Sequence, residues 1–326
     1  MTDYNIKTRV VGVDISNECT TYAVVDIRGN IIAKDSFKTS LYPDASQFAA
    51  RLTESILLLA EANGGFEAIR SIGISSPSAN FVTGCIENAA NLPWKGIVPL
   101  SAMLRDSLGV AVAVGNDAHT TAIGEKIYGS AHGMQDFIVI NLGVGLGSCF
   151  FSSGREHQGF GGYAGELGHI SMVDHGRRCS CGQEGCLEAY CAARGIVETA
   201  RELIAESDEP SLMRDAEELT PRTITDFCEQ GDRLAAETYR RTGYMLGRGL
   251  AIYAMLVNPE AIILTGGVSH AGHWLMDATE ESFESHVFRN LKGKVKLLLS
   301  RLDDRERDVL GASALAWEVP EYSLFK

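Results

Sequence analysis

Residues 164–188 carry the most distinctive pattern of this 326-residue chain, Ala164-Gly165-Glu166-Leu167-Gly168-His169 followed by Cys179-Ser180-Cys181-Gly182-Gln183-Glu184-Gly185-Cys186-Leu187-Glu188. Three cysteines fall within eight residues, and the two glycines between them favour tight turns. Thiols at this density are usually metal ligands, which favours a zinc loop over three free cysteines at a surface turn. Zinc takes four ligands in a tetrahedron, and His169, ten residues before Cys179, is the best candidate for the fourth.

The predicted zinc ligands are therefore His169, Cys179, Cys181 and Cys186. A site with three thiolates and one imidazole leaves no position for a substrate, so we expect the zinc to be structural. It would fix His169 and, through Cys186-Leu187-Glu188, the start of the next helix, and both would support a nearby site. Eight cysteines in 326 residues are too sparse for a secreted disulfide scaffold.

Composition and charge argue against several classes of protein. Hydrophobic residues make up 45% of the chain, which argues against intrinsic disorder. Lys and Arg number 29 against 42 Asp and Glu, a net charge of −13 that repels nucleic-acid phosphates. No apolar run approaches the roughly 20 residues of a membrane helix, and residues 1–5 lack the basic and apolar regions of a signal peptide. We therefore expect a cytoplasmic protein without nucleic-acid or membrane partners.

Two stretches of the chain begin with the same strand, turn, strand pattern. The first has predicted strands at Val10–Ile15, Thr20–Asp26 and Ile31–Phe37. The second has strands at Phe137–Leu142 and Ser148–Ser152, joined by the glycine turn Gly143-Val144-Gly145-Leu146-Gly147 and followed by a predicted turn at Gly154-Arg155-Glu156. The shared order indicates two related lobes, although the two stretches share architecture more than sequence.

Helices and further strands are predicted from the spacing of apolar residues. The predicted helices follow Asp44, begin at Asn116-Asp117 and cover Leu187–Glu206, Arg233–Val257 and Gly311–Trp317. The further predicted strands are Ile69–Ser75, Val110–Val114, Ala261–Leu264 and Val295–Leu299. No linker-like stretch divides the chain, and the last helix is expected to return to the first lobe.

The motif at 164–188 resembles the ROK family (repressor, open reading frame, kinase) of bacterial sugar kinases and sugar-responsive repressors. Weaker support comes from Asn91-Leu92-Pro93-Trp94, Asn116-Asp117-Ala118 and Gly266-Gly267-Val268. The resemblance implies an α/β, actin-like ATPase (ribonuclease H-like) fold of two related lobes with a cleft between. Residues 1–117 and 309–326 would form the small lobe, and residues 118–308 the large lobe with its zinc loop.

The resemblance also implies an activity, an ATP-dependent hexose kinase similar to glucokinases that uses Mg²⁺ and forms a homodimer or homotetramer. The sugar hydroxyls would be held by Asn91, Asn116, Asp117, Glu166, His169 and Glu188. The nucleotide would be lined by Gly143, Gly145, Gly147, Gly266 and Gly267, with Asp14 beside Mg²⁺ and the phosphates. Asp117 would be the general base, since a helix N-terminus favours its anionic form. Taken alone, the same residue fits an ordinary helix cap.

The nucleotide side departs from the family's pattern. The first phosphate loop of the family has two glycines and a threonine after the aspartate, whereas here Asp14 is followed by Ile15-Ser16-Asn17-Glu18-Cys19. Glu18 adds negative charge where ATP brings more, and Val144 lacks the hydroxyl of the usual threonine. His119 replaces a usual asparagine. A second hypothesis is therefore a sugar-binding protein that has lost ATP turnover.

The retained Asp14 and Asp117 favour the kinase over the sugar-binding protein. The family's repressors carry a helix-turn-helix before the first lobe, whereas the first strand here begins by Val10. We therefore expect no repressor function. The sequence leaves open which hexose binds: glucose, an N-acetylated hexosamine, fructose or allose.

Overall fold

The computed structural model describes residues 7–89, 91–161 and 163–319, apart from the side chain of Arg305. The first five residues, which bear on the signal-peptide prediction, lie outside these ranges. The chain divides into two compact units. The first unit comprises Met1–His132 and Arg301–Lys326, and the second unit comprises Gly133–Ser300. The resemblance implies lobe boundaries at 117/118 and 308/309, which lie 15 residues before and 8 residues after these divisions.

Both units mix strands and helices. The strands are β1 (Arg9–Ile15), β2 (Cys19–Asp26), β3 (Ile31–Lys38), β4 (Ile69–Ser75), β5 (Ala79–Asn80), β6 (Cys85–Glu87), β7 (Ile97–Val98), β8 (Ala111–Gly115), β9 (Phe137–Leu142), β10 (Leu146–Ser152), β11 (Arg155–Glu156), β12 (Ala261–Thr265) and β13 (Lys296–Leu299). The α-helices are α1 (Ala45–Ala62), α2 (Leu100–Leu108), α3 (Asp117–Ile127), α4 (Glu188–Cys191), α5 (Ala193–Glu206), α6 (Pro221–Glu229), α7 (Arg233–Val257), α8 (His273–His286) and α9 (Asp304–Glu318).

The two large sheets have the same topology. In the first unit the strand order is β3-β2-β1-β4-β8, and in the second it is β11-β10-β9-β12-β13. In each sheet the central strand pairs antiparallel with the next strand of the chain and parallel with a later one. The repeated order of strand and turn in the sequence therefore corresponds to a repeated sheet.

Helix α9 packs directly against the sheet of the first unit. A Cβ on Gly12 of β1 would lie 2.3 Å from the carbonyl oxygen of Val309, and one on Gly73 of β4 would lie 2.0 Å from that of Ala312. The buried side chains of this unit include Val11, Val13, Ile72 and Ile74. Glycine at the two contact positions lets the last helix of the chain cover the strands that carry the site.

In the second unit, α7 and α8 pack through small residues. A Cβ on Gly243 or Gly247 of α7 would come within 3.0 Å of the α8 backbone. Its buried core includes Ile138 and Ile140 of β9 and Leu246 and Leu250 of α7. Within the described ranges, no helix combines the length and the apolar character that a membrane span requires.

Several predicted elements differ from the structure. The single helix predicted at Leu187–Glu206 is broken at Ala192, whose ψ is 169°, because the N–H of Ala193 donates to the carbonyl of Gly143 at 2.9 Å. Arg155 and Glu156 form β11 instead of a turn, and the turn before them is Ser153-Gly154 with positive φ at both residues. Helix α9 begins at Asp304, seven residues before the predicted start. The prediction missed these residues because the first turn of the helix is polar and shows no apolar spacing. The sequence analysis missed α2, α6, α8 and the small sheet β5-β6-β7.

Candidate functional site

Two carboxylates lie at the same edge of the sheet in the first unit. Asp14 is near the end of β1, and Asp117 opens α3 directly after β8. Strands β1, β4 and β8 are parallel, with Asp14 paired to Ser75 and Ser75 paired to Gly115. Because the carboxyl ends of parallel strands meet at one edge, the fold itself brings these acids together.

Helix α3 is capped by Asn116, and Asp117, which taken alone fits a helix cap in the sequence, is instead its first helical residue. The N–H of Ala118 donates to the side chain of Asn116 at 3.0 Å and to that of Asp117 at 2.8 Å. These bonds satisfy a backbone donor that the helix itself leaves free. Asp117 therefore lies where a carboxylate is electrostatically favoured, at the positive end of α3.

Both acids have raised pKa values. Burial raises the pKa of Asp14 from 3.8 to about 7, and repulsion from Asp308 and Asp117 adds to this rise. A hydrogen bond from Ser75 and the positive charge of Arg307 lower the pKa by less than the other effects raise it. Desolvation also raises the pKa of Asp117, aided by Asp308 and opposed by the Ala118 N–H and His119. The Asp117 side chain is exposed at the surface of this unit. Clustered acids of this kind favour a bound cation or an exchanged proton.

The acidic group includes a residue that sequence reasoning missed. Asp308 lies in α9, where Arg307 pairs with it at 3.1 Å and with Asp304 at 2.6 Å. These residues belong to the polar first turns of α9, which were not predicted to be helical. The apolar periodicity used for prediction carries no signal there.

The turn between β1 and β2 is closed by its own hydrogen bonds. Ser16 donates through its N–H to the carbonyl of Cys19 at 3.0 Å and through its hydroxyl at 2.9 Å, and the N–H of Cys19 donates back to that hydroxyl at 3.1 Å. Asn17 and Glu18 are exposed at its tip. The turn thus presents a carboxylate where the resemblance implies a phosphate loop.

Asn91 is exposed on a loop of the first unit. The residues after it anchor the loop, because Leu92 and Trp94 are buried and the indole N–H of Trp94 donates to the carbonyl of Tyr42 at 2.9 Å. The ring of Trp94 lies 4.4 Å from that of Phe48. The packing of its neighbours thus presents the Asn91 amide at the surface of this unit.

Two glycine turns follow neighbouring parallel strands of the second unit. Gly143 follows β9, and Gly266 follows β12. These two strands are paired, with Asn141 of β9 opposite Thr265 of β12. Gly266 has φ +90°, and a Cβ there would lie 2.4 Å from the carbonyl oxygen of Leu142, so this position favours glycine. Gly143 and Gly267 have open space where a Cβ would lie. Backbone left bare in this way can approach a ligand closely.

The first of these turns, Gly143–Gly147, is tied to Glu188. The N–H of Leu146 donates to Oε2 of Glu188 at 2.9 Å, and a Cβ on Gly145 would lie 2.8 Å from the same oxygen. Val144 at the tip is 94% exposed. One backbone donor of this turn is therefore occupied by a carboxylate, and Val144 offers no hydroxyl.

The four predicted metal ligands come together in the second unit. All ligand atoms of His169, Cys179, Cys181 and Cys186 lie within 4.8 Å of one another. The sulfurs of Cys181 and Cys186 are 3.7 Å apart, and the sulfur of Cys179 is 3.6 Å from Nδ1 of His169. Bond lengths of about 2.3 Å to sulfur and about 2.0 Å to nitrogen in a tetrahedron require separations of about 3.8 Å and 3.5 Å. The donor set fits zinc in both chemistry and spacing.

Glycines shape the cysteine loop as the sequence predicts. Gly182 and Gly185 have φ of +92° and +80°. A Cβ on Gly185 would lie 1.8 Å from the carbonyl oxygen of Val173, so another residue there would displace the backbone. The N–H of Cys179 donates to the carbonyl of Gln183 at 2.9 Å and closes the loop. The backbone thus holds the thiols near one another.

Glu166, His169 and Glu188 surround this cluster. Because Nδ1 of His169 faces Cys179, its Nε2 faces Glu166, at 3.9 Å from Oε2. Oε1 of Glu188 accepts a hydrogen bond from the hydroxyl of Ser180 at 2.9 Å. The imidazole can therefore serve a metal with one nitrogen and a second ligand with the other. Two carboxylates and an imidazole in one place can bind several hydroxyl groups.

The comparisons with known proteins identify the family of the chain. The model of the ROK family matches residues 10–319. A glucokinase of Thermotoga maritima is 30% identical over 316 residues, which cover 96% of this chain and 98% of that protein. The crystal structure of a ROK family glucokinase from Streptomyces griseus in complex with glucose and AMPPNP is 28% identical, covers 95% of this chain and 100% of its own, and has a TM-score of 0.77.

A regulator is also similar in structure. The crystal structure of a ROK family transcriptional regulator, a homologue of the E. coli MLC protein, is 26% identical with a TM-score of 0.84. The match covers 95% of this chain and 78% of the regulator. The similar structures include ROK sugar kinases, which have the actin-like ATPase fold, so the fold predicted from the sequence is confirmed. Kinases and regulators alike share this fold, so activity has to be argued from the site.

Proposed function

The chain belongs to the ROK family, and we propose that within this family it is an ATP-dependent hexose kinase, similar to glucokinases. The observation that carries the proposal is the position of Asp117, a carboxylate at the start of α3 that lies at the same sheet edge as Asp14. A protein that merely binds sugar has no use for a proton acceptor there. The Thermotoga maritima and Streptomyces griseus relatives, both glucokinases, support this choice of reaction.

In the proposed reaction Asp117 is the general base. It accepts the proton of one sugar hydroxyl while the hydroxyl oxygen bonds to the γ-phosphorus of ATP and the bond to the β-phosphate oxygen breaks. Sugar phosphate and ADP result, and the proton stays on Asp117 until it passes to water. Desolvation and the charge of Asp308 raise the pKa of Asp117, which makes its carboxylate a stronger proton acceptor.

The second unit supplies the sugar contacts in this proposal. Glu166 and Glu188 accept hydrogen bonds from the hydroxyls, and Nε2 of His169 donates one because Nδ1 would bind the zinc. Asn91 and Asn116 of the first unit add amide contacts. Charge-assisted bonds to carboxylates are stronger than neutral ones, which favours a polyhydroxylated substrate. Zinc, held by the four ligands described above, would contribute structural rigidity and keep the His169 ring in place.

The nucleotide contacts are proposed for Asp14 and the glycine turns at 143–147 and 266–267. Mg²⁺ would neutralise developing phosphate charge, and Asp14 would lie beside it. The bare backbone at Gly143 and Gly267 leaves room for a nucleotide. A homodimer or homotetramer is proposed from the resemblance.

A second candidate is a sugar-binding protein without ATP turnover. It is favoured by the exposed Glu18 at the turn after β1 and by Val144, which has no hydroxyl. Under this candidate the second unit binds a hexose as proposed, and the acidic group of the first unit has no catalytic role. The two candidates therefore differ in what Asp117 does.

The test compares Asp117→Asn with the wild type in a coupled kinase assay over a panel of hexoses, with ATP and Mg²⁺. Asn keeps the shape and can cap the helix, but it cannot accept the proton. We expect kcat to fall by about 10²–10⁴-fold, with hexose affinity changed far less. The matched control is Asp106→Asn, an exposed acid on α2 of the same unit, which should leave kcat unchanged.

Two outcomes would contradict the proposal. Full activity of Asp117→Asn would leave Asp117 with only its structural contact to the N–H of Ala118. A wild-type protein that binds a hexose but consumes no ATP with any sugar of the panel would favour the second candidate.

A further inference from the structure

A buried serine contacts the backbone that presents Glu166. Ser148 lies on β10, and its hydroxyl donates to the carbonyl of Gly165 and accepts from the N–H of Leu167 at 3.1 Å. These two peptide groups lie immediately before and after Glu166. One hydroxyl therefore holds the chain on both sides of a carboxylate that is 59% exposed.

The backbone between these contacts forms a very tight turn. The N–H of Leu167 also donates to the carbonyl of Gly165 at 2.7 Å, and Glu166 has φ −73° and ψ 57°. These values describe an inverse γ-turn centred on Glu166. A γ-turn closes with a single three-residue hydrogen bond, so an additional contact to both of its ends stabilises it considerably.

The turn lies directly on β10. A Cβ on Gly165 would be 3.0 Å from the carbonyl oxygen of Ser148, and one on Gly168 would be 2.4 Å from that of Leu146. Gly165, Leu167 and Gly168 are buried, whereas Glu166 is exposed. The strand thus supports a buried backbone from which a single carboxylate projects.

The hydrogen-bonding capacity of Ser148 matches its surroundings. A serine hydroxyl has one donor and two acceptor positions, and Gly165 and Leu167 use the donor and one acceptor. The Tyr253 hydroxyl of α7 interacts with Ser148 as well, and burial raises the pKa of this phenol to about 12, so it stays neutral at physiological pH. Removal of the serine hydroxyl would leave a buried carbonyl and a buried N–H with fewer partners, which is costly.

We propose that Ser148 is a positioning residue for substrate binding: its hydroxyl fixes the turn at Glu166 and so aims this carboxylate at the sugar. The inference rests on the proposed function, since Glu166 needs a sugar to act on. A carboxylate held in place before binding loses less conformational freedom when the sugar arrives, so the turn raises affinity. Ser148 lies outside the site residues named from the sequence because its contacts join residues 17 to 19 positions apart.

The experiment compares Ser148→Ala with Ser148→Thr, which keeps the hydroxyl, and with Ser152→Ala, an exposed serine on the same strand. Hexose affinity is measured by calorimetry, zinc content by mass spectrometry, and exchange of the Leu167 amide by hydrogen–deuterium exchange. We expect Ser148→Ala to weaken hexose binding about tenfold and to speed the exchange, with zinc content unchanged. Ser148→Thr should restore most of the affinity, and Ser152→Ala should match the wild type.

A double-variant comparison separates positioning from a general structural effect. If Ser148 acts through Glu166, then adding Ser148→Ala to Glu166→Ala, which removes the positioned group, should weaken binding by less than about twofold. An equal tenfold loss in both backgrounds would overturn the inference, as would unchanged hexose affinity in Ser148→Ala. A wild-type protein that binds no hexose contradicts the proposed function itself. In that case the Leu167 amide still tests the inference. If it exchanges no faster in Ser148→Ala than in the wild type, the inference is overturned; faster exchange would support the hydrogen bond between Ser148 and Leu167.

Discussion

Two regions of the chain differ in how far each keeps the family's pattern. One is the turn at residues 16–19 of the first unit, and the other is the loop at residues 179–186 of the second unit. The loop has every thiol and glycine of the motif, and the separations of Cys181 from Cys186 and of Cys179 from His169 match those of tetrahedral zinc. The turn has lost its glycines and carries Glu18 at its tip. The family's pattern is therefore kept at the proposed sugar side and changed at the proposed phosphate side, which is the difference that separates the two candidate functions.

The largest effect is expected at the loop. Cys181→Ser should release the metal, lower the melting temperature and weaken hexose binding by about 10–100-fold, since His169 would lose its support. Metal analysis, thermal unfolding and calorimetry check these results. Cys19→Ser, a half-exposed thiol of the first unit, is the control and should keep the metal. Wild-type hexose affinity in a zinc-free Cys181→Ser protein would contradict the supporting role of the loop.

A second effect concerns Asp14, on the phosphate side. Its pKa is about 7 in the folded protein and 3.8 ordinarily, so the unfolded chain releases the proton first as pH rises. The free energy of unfolding therefore falls between about pH 4 and pH 7 and stays lowered above. Asp14→Asn removes this penalty. We expect its melting temperature to exceed that of the wild type at pH 8 and the difference to vanish near pH 4.

Thermal unfolding of both proteins at several pH values measures this difference, with Asp106→Asn as the control. A difference that does not change with pH would mean that Asp14 has an ordinary pKa. Activity of Asp14→Asn should be low at every pH, because the carboxylate proposed to lie beside Mg²⁺ is gone.

The smallest effect is expected at Glu18. Glu18→Gln removes the charge without changing the backbone of the turn, and we expect KM for ATP to fall about two- to fivefold, the scale of one charge repulsion in water. KM for the hexose should not change. Glu54→Gln, an exposed glutamate on α1, is the matched control. An unchanged KM for ATP would mean that this turn lies away from the donor phosphates.

How much could be predicted from the sequence depends on the range of the contacts involved. The cysteine loop is a local feature, so the spacing of its residues predicted a geometry that fits zinc. The family and the fold were predicted and are confirmed. The roles of Asp117, Glu166 and Glu188 remain predictions.

What the sequence could not predict depends on distant contacts. The helix break at Ala192 follows from a bond between Ala193 and Gly143, fifty residues away in the chain. The contact of Ser148 with the turn at Glu166 joins a strand to a loop, and the polar start of α9 brings Asp308 to the acidic group. None of these has a signature in local periodicity or composition.

The central claim is that this chain transfers phosphate from ATP to a hexose. The most direct measurement incubates the zinc-loaded wild-type protein with ATP, Mg²⁺ and each hexose of a panel, and quantifies sugar phosphate and ADP by mass spectrometry. We expect at least one hexose to yield sugar phosphate and ADP in equal amounts, and Asp117→Asn to yield neither above background. Hexose binding by the wild type without formation of ADP or sugar phosphate would contradict it.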